Sequence, residues 1–295
     1  MKKRGRFTLG QLLLSAVMVL LALTMLIPML NILAKSFSDP ALSPSMSGLR
    51  VIPAGFSTVN YDIVFSNKVI LPTLWNSIFI TVVGTAINLA VTVPAGYALS
   101  RRELPFHRTI MMFFLFTMYF SGGLVPTFLL VSSLGLYNTR AVLVILGAFS
   151  TYNCIICRTF FAALPKELDE AAFIDGCSPL RVFFQIALPL SQALLGVMVL
   201  YFAVGHWNSY FNAMMYINNE AYKPLQLILR RILILEQASA DMMASGGDEY
   251  AAEQFKLKEL VQYAVIVVSS LPVLILYPFL QKYFAQGVMI GSLKG

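Results

Sequence analysis

The stretch Glu170-Ala171-Ala172-Phe173-Ile174-Asp175-Gly176-Cys177-Ser178-Pro179-Leu180-Arg181-Val182-Phe183-Phe184-Gln185-Ile186-Ala187-Leu188-Pro189 holds one helix start and two stops. Just upstream, Pro165 suits a first helical position because its missing N–H would have no intrahelical partner there. Glu167, Asp169 and Glu170 then complement the positive end of the helix dipole. Gly176 adopts positive φ readily and ends that helix. Ser178 and Pro179 repeat the start signal as N-cap and first helical residue, opening a second helix that runs toward Leu188 and is bent or ended by Pro189. The stretch therefore reads helix, tight turn, helix. In the first helix Leu164, Leu168, Ala171 and Ala172 fall at helical spacing, and the small residues among them allow a partner to approach closely. Taken alone, the pattern also suits any interfacial or re-entrant helix pair.

Outward from this loop the chain is apolar. Of 295 residues 58% are hydrophobic and 12% charged, with a mean hydropathy of +0.75, which excludes an ordinary soluble domain. Six runs approach the length needed to cross ~30 Å of hydrocarbon at about 1.5 Å per residue. They are 11–33, 74–99, 110–131, 141–161, 190–216 and 260–280. The fold class expected is an all-α integral membrane protein, a single transmembrane domain over 1–295. The basic start, Met1 to Arg6, leads into a run too long for a signal peptide, so this run is read as an uncleaved first span.

A net charge of +7 would suggest nucleic acid in a soluble protein, but here the basic residues flank apolar runs and set orientation instead. With the N-terminus inside, Lys2, Lys3, Arg4, Arg6, Arg101, Arg102, Arg108, Arg158, Lys166, Arg181, Lys282 and Lys294 are cytoplasmic, and they are 12 of the 21 Lys and Arg residues. Both termini, the loop 162–189 and the tail 281–295 are then cytoplasmic, and 34–73 and 217–259 lie outside. Three cysteines imply no disulfide framework. Cys154-x-x-Cys157 sits in an apolar run without a second pair or a nearby His, so no metal site is expected. The chain has no Gly-rich phosphate loop with Lys-Ser/Thr, and no nucleophile beside a base or paired carboxylates can be picked out. No catalytic residue is assigned.

Polar residues inside the runs are candidates for a solute path. Ser77, Thr81, Thr85, Asn88 and Thr92 recur at spacings of four, four, three and four, on one helical stripe. Such a stripe either lines a cavity or fastens helices together. Tyr119 precedes Gly122-Gly123 and Pro126, which loosen the backbone within the third run and point to a gate or kink. His206, Trp207, Asn208, Tyr210 and Asn212 form an aromatic and amide cluster near the outer end of the fifth run. It reads equally as a saccharide platform, with indole stacking and amides bonding hydroxyls, or as an interfacial aromatic belt. His206 by itself reads as a packing residue.

The loop 162–189 resembles the signature loop of the permease subunits of bacterial ABC importers: Glu-Ala-Ala, three residues, Gly, nine residues, Ile-x-Leu-Pro. Cys177, where Ala is commoner, is a mild departure. Other stretches resemble carbohydrate permeases of the maltose-transporter type. These are Gly96-Tyr97-Ala98-Leu99-Ser100-Arg101, Pro126 with Leu134-Gly135-Leu136-Tyr137-Asn138-Thr139, and Trp207-Asn208-x-x-Phe211. Ser121-Gly122-Gly123-Leu124-Val125-Pro126 resembles a mark of the subgroup that takes up complex oligosaccharides in Gram-positive bacteria. The resemblance implies a type I importer permease with six transmembrane helices in the bacterial cytoplasmic membrane. Glu170, Ala171, Ala172, Asp175, Gly176, Leu188 and Pro189 would form the coupling helix that docks on an ATPase. The closing Gly287-x-x-x-Gly291-x-x-Lys294-Gly295 resembles the tail that enters the ATPase dimer interface, which singles out Gly291, Ser292, Lys294 and Gly295. The outer loop, with Ser245, Gly246, Gly247 and Asp248 at its tip, would reach a docked binding protein.

The implied partners are a homologous second permease chain in a heterodimer, two ATPase subunits that bind ATP and Mg, an extracytoplasmic solute-binding protein, an oligosaccharide and membrane lipid. No cofactor belongs to this chain. A permease of the same superfamily for an amino acid, phosphate or polyamine is the alternative. Fixed charges within the spans would favour it, and the span cores lack them. An integral membrane enzyme or a channel is a remote one.

Overall fold

In the computed structural model, residues 9–42, 48–244, 260–279 and 281 are described, with the backbone alone over 235–244. The helices are α1 (Leu9–Ser36), α2 (Val59–Ser66), α3 (Ile70–Ser100), α4 (His107–Tyr119), α5 (Leu124–Ser133), α6 (Arg140–Ile145), α7 (Thr151–Ala162), α8 (Glu167–Ile174), α9 (Pro179–Val182), α10 (Leu188–Leu190), α11 (Gln192–Trp207), α12 (Phe211–Tyr216), α13 (Leu225–Ala244) and α14 (Leu260–Phe279). A π-helical turn, Phe183–Ala187, joins α9 to α10. Among the described residues the one extended pairing is an isolated antiparallel bridge between Ser38 and Phe56. The fold is all-helical.

Three of the six apolar runs are unbroken helices long and apolar enough to cross a bilayer: α1, α3 and α14. The other three are broken. The run 110–131 becomes α4 and α5, which meet at 110° across Phe120 to Gly123. Gly123 has φ +86° and ψ 174°, a region open essentially to glycine, and Pro126 offers no N–H to continue a helix through the turn. The run 141–161 is α6 and α7, with Ser150 Oγ capping the N–H of Asn153 at 3.3 Å to start the second piece. In the run 190–216, α11 stops at Trp207 and α12 begins at Phe211.

The described residues fall into two compact units, those up to Leu71 with Leu229–Leu271, and Pro72–Ile228 with those from Pro272 onward. In the first, α1 exposes its apolar length within this chain, a surface that lipid or another subunit must cover. Its C-terminal end anchors the segment that follows. Asn31 Nδ2 donates to the carbonyls of Gly48 (3.2 Å) and Arg50 (2.8 Å), and Asn60 Nδ2 to those of Ser36 (3.1 Å) and Ser38 (2.9 Å). Phe37 stacks on Phe56, and Ser36 Oγ lies 2.8 Å from the Tyr61 hydroxyl. Burial pushes the Tyr61 phenol above its ordinary pKa, against the opposing pull of the Ser36 bond.

The second unit has two apolar cores strung along α3. Ile80, Val131, Val142, Tyr216 and Leu227 pack toward its beginning. Val93, Cys157, Phe161, Phe183 and Met198 pack toward its end, where Tyr97 meets Phe161 edge-on and Phe183 at a tilt. Gly96 lets α3 and α7 cross closely: a Cβ there would lie 2.4 Å from the Cβ of Cys157. This crossing accounts for the buried cysteines as packing groups.

Candidate functional site

The loop between α7 and α11 is built as its stop and start signals dictate. Glu167, Asp169 and Glu170 occupy the first turn of α8. Gly176 follows with φ +77°; its N–H donates to the Phe173 carbonyl (3.1 Å) and that of Cys177 to the Ala172 carbonyl (2.9 Å), the paired bonds of a Schellman stop. Ser178 Oγ accepts from the N–H of Arg181, and Pro179 begins α9. Beyond Val182 the expected continuous second helix differs. Leu188 N–H reaches back five residues to the Phe183 carbonyl, and the π turn takes up the mismatch created by Pro189, which has no N–H to donate. Ser191 then leaves helical geometry, and the segment Pro179–Leu190 meets α11 at 82°.

The faces of α8 divide differently from the small-residue face read in the sequence. Ala172 is buried in its own chain and Leu164 packs against the core around Phe161, whereas Glu170, Ala171, Phe173, Asp175 and Gly176 are exposed. Ile174 is 86% exposed and Leu180 72%, so an apolar edge of the loop is bare. Of the remaining loop candidates Leu188 is half-buried and Pro189 exposed.

A polar node ties this loop to the end of α3. The Arg101 guanidinium forms a two-pronged ion pair with the Asp169 carboxylate, with Nη2 3.1 Å from Oδ1, and lies 4.5 Å over the Tyr97 ring. The Leu99 carbonyl, one of the unsatisfied acceptors at a helix C-terminus, receives Arg158 Nε (3.1 Å) from α7 and His107 Nε2 (2.9 Å) from α4. The residues Arg101 and Asp169 were visible separately in the sequence, in the exit motif and in the acidic first turn, but their pairing was not.

The polar stripe of α3 splits. Ser77 Oγ accepts from the N–H of Leu225 (2.8 Å), and the neighbouring Asn76 donates to the carbonyls of Ala221 and Lys223, which fastens α3 to the start of α13. Asn88 Nδ2 donates to the Gly147 carbonyl, which leaves Oδ1 as acceptor for His206 Nε2 at 2.6 Å. The His206 tautomer follows: Nε2 carries the proton. A Cβ on Gly84 would lie 2.5 Å from that nitrogen, so the ring also fills the space this glycine leaves. The hydroxyls of Thr81, Thr85 and Thr92 are buried without a partner.

Trp207, 4% exposed, and Thr81 line one cavity of about 160 Å³ with Ala203, Val82, Pro272 and Leu276, and its walls are almost wholly apolar. The other members of the aromatic and amide cluster stand apart from it. Asn208 and Tyr210 are exposed beyond the end of α11, and Asn212 is half-buried on α12. Tyr119, 76% exposed, ends α4 at the bend. Ser245, Gly246, Gly247, Asp248, Gly291, Ser292, Lys294 and Gly295 lie outside the described residues.

Three unbroken helices long and apolar enough to cross a membrane and two bent pairs that pass the same test together define a multi-pass helical membrane protein. Residues 5–290 match the family described as binding-protein-dependent transport system inner membrane component, and the chain belongs to it. It is 43% identical over 270 residues to protein LplC of Bacillus subtilis (strain 168), covering 92% of this chain and 90% of that one. It is 39% identical over 279 residues to the polygalacturonan/rhamnogalacturonan transport system permease protein YtcP of the same organism, covering 94% and 96%. Among solved structures it is similar to a chain of a bacterial ABC transporter involved in the import of the acidic polysaccharide alginate. There the TM-score is 0.81 and the identity 30%, over 95% of this chain and 99% of that one. The chain is thus a multi-pass permease subunit, and its family is not one of catalysts.

Proposed function

We propose that this chain is one of two permease subunits of an ATP-driven importer that carries oligosaccharides from an extracytoplasmic binding protein into the cytoplasm by alternating access. The second permease is a homologous chain. Two cytoplasmic ATPase subunits bind ATP and Mg and supply the chemistry; this chain supplies the path and the coupling. Both termini and the loop 162–189 face the cytoplasm in this reading. Glu170, Ala171, Ala172, Asp175, Gly176, Leu188 and Pro189 belong to the ATPase-docking loop, Gly291 to Gly295 to a tail in the ATPase interface, and Ser245 to Asp248 to a loop that touches the binding protein.

One observation carries the coupling role. Helix α8 presents bare apolar groups at Phe173 and Ile174 while its other side grips the end of α3 through Asp169 and Arg101. A subunit that pushes on Ile174 therefore pushes on the longest span, because the ion pair and the Schellman stop leave α8 little freedom to yield alone. The oligosaccharide rests on the relatives. One is named for polygalacturonan and rhamnogalacturonan and another serves alginate, so an acidic sugar polymer recurs among them. The alternative solutes, an amino acid, phosphate or polyamine, have no counterpart in those names.

Isolation of the assembled complex with its binding protein tests this reading. Mass spectrometry of the ligand released from the binding protein is expected to give an oligosaccharide, and ATP hydrolysis is expected to rise when the loaded binding protein is added. An amino acid, phosphate or polyamine in the binding protein would overturn the solute assignment.

A further inference from the structure

Arg140 opens α6 at the level of Phe79 on α3, which is nine residues after Ile70, or about 14 Å along the helix. The expected apolar run of α3 starts at 74, so on the proposed orientation this guanidinium lies inside the outer part of the bilayer's apolar layer. Ionised groups at such depth are costly, and those retained face a protein interior or a water-filled cavity and mark solute paths. Among the described residues no carboxylate pairs with Arg140. Its Cζ lies 5.0 Å from the Tyr222 ring centroid and 5.9 Å from that of Phe79. Its Nε is buried with no hydrogen-bond partner, and Arg140 enters neither the Arg101–Asp169 nor the Lys223–Glu220 ion pair.

The segment that carries Tyr222 is held by bonds that do not involve Arg140. Asn138, at φ +60°, accepts on Oδ1 from the N–H groups of Asn218 (3.0 Å) and Asn219 (2.8 Å). Asn219 in turn caps the turn Glu220–Tyr222, and Asn76 grips the carbonyls on either side of Tyr222. The frame is therefore preorganised around a cation that has no carboxylate partner among the described residues, with Phe79 partly open beside it. Aromatic faces stabilise a guanidinium and leave its in-plane donors available for a carboxylate, which matches the fork of Arg two bonds at a time.

We propose that Arg140, flanked by Phe79 and Tyr222, binds the carboxylate of a uronic acid unit in the oligosaccharide entering the importer. This deepens the oligosaccharide reading and rests on it. Neutral sugars would find here a charged donor with no matching charge, and acidic ones a full partner.

The test uses the complete complex with its binding protein in proteoliposomes, and two probes, trigalacturonate and its methyl ester. In Arg140→Gln, uptake of trigalacturonate at low concentration is expected to fall about tenfold or more, as for loss of a charged hydrogen bond, while uptake of the ester stays near the wild-type rate. Arg140→Lys, which keeps the charge without the fork, is expected to fall between the two on the acid alone. Equal loss on both probes, with binding-protein stimulation of ATP hydrolysis lost as well, would mean that Arg140 pairs with a carboxylate of another subunit, and the proposal falls. No loss on either probe also overturns it. If the wild type takes up the ester and not the acid, this inference fails and the oligosaccharide reading stands; if it takes up neither probe nor any neutral oligosaccharide, both fail. Should Arg140→Gln not assemble, Arg140→Lys and Tyr222→Leu carry the same comparison between acid and ester.

Discussion

Nη2 of Arg101 stands 3.1 Å from Oδ1 of Asp169, and Nη1 bonds the other carboxylate oxygen, so the residue that follows α3 is joined to the first turn of α8 across 68 positions of sequence. Both side chains are largely withdrawn from solvent. The pair joins the loop proposed to dock on the ATPase to the longest span, and it makes the proposed coupling role testable apart from docking.

Asp169→Asn leaves the Arg101 charge unmatched at a cost of about 1–3 kcal/mol. The complex is expected to keep its basal ATP hydrolysis and to lose most of the stimulation by binding protein, with transport falling about tenfold or more. The swap of both residues, Arg101→Asp with Asp169→Arg, is expected to recover part of the coupling. Equal coupling in wild type and Asp169→Asn would remove the pair from the transmission path.

Gly176 holds φ +77° and open space surrounds its α-carbon, so substitution acts through the backbone alone. A β-branched side chain cannot adopt that conformation without strain of roughly 1–2 kcal/mol. Gly176→Val is expected to undo the Schellman stop, misplace α8 and abolish stimulated ATP hydrolysis while membrane insertion persists. Stimulated hydrolysis at the wild-type level would contradict the assigned role of the turn.

The Asn88 amide serves two partners, the Gly147 carbonyl and the His206 ring. Asn88→Leu strands both, and each buried group left unpaired costs about 1–3 kcal/mol. The expected outcome is a lowered melting temperature in detergent, matched by His206→Leu and only slightly worsened in the double variant. Losses that add independently would show that the two residues do not form one junction.

Much of the loop was legible because proline, glycine and the N-cap serine act locally: Pro165, Gly176 and Ser178-Pro179 set α8 and α9 within a turn. The broken spans were half legible. Gly122-Gly123 announced a loosened backbone, but hydropathy carries no angle, and the 110° bend between α4 and α5 depends on packing that no run of apolar residues encodes. The breaks at 146–150 and 208–210 passed unseen for the same reason. Asn88 sits on a stripe that reads as cavity lining or helix fastening, and His206, 118 residues away, reads as a packing residue; their junction is not legible, because a stripe reports which face a residue occupies and not what lies opposite. Nothing in the sequence sets Arg140 apart from the other basic residues; its place beside two rings depends on the fold of 216–223, which only tertiary structure reveals.

Close crossing at Gly96 gives a stability prediction with a built-in rescue. Gly96→Ala sets a Cβ 2.4 Å from that of Cys157, in a core where backbone atoms also approach within 3.2 Å. Loss of folded yield is expected, with partial recovery in the Gly96→Ala, Cys157→Gly pair. Normal yield of Gly96→Ala alone would mean that α3 and α7 separate easily.

Uptake into proteoliposomes tests the central claim most directly. The complex of this chain, its second permease and the two ATPase subunits is reconstituted with ATP inside and the binding protein, loaded with labelled trigalacturonate, outside. The account predicts ATP-dependent accumulation of the label that disappears in Gly176→Val. Accumulation without ATP, accumulation by this chain alone, or wild-type accumulation in Gly176→Val would contradict it.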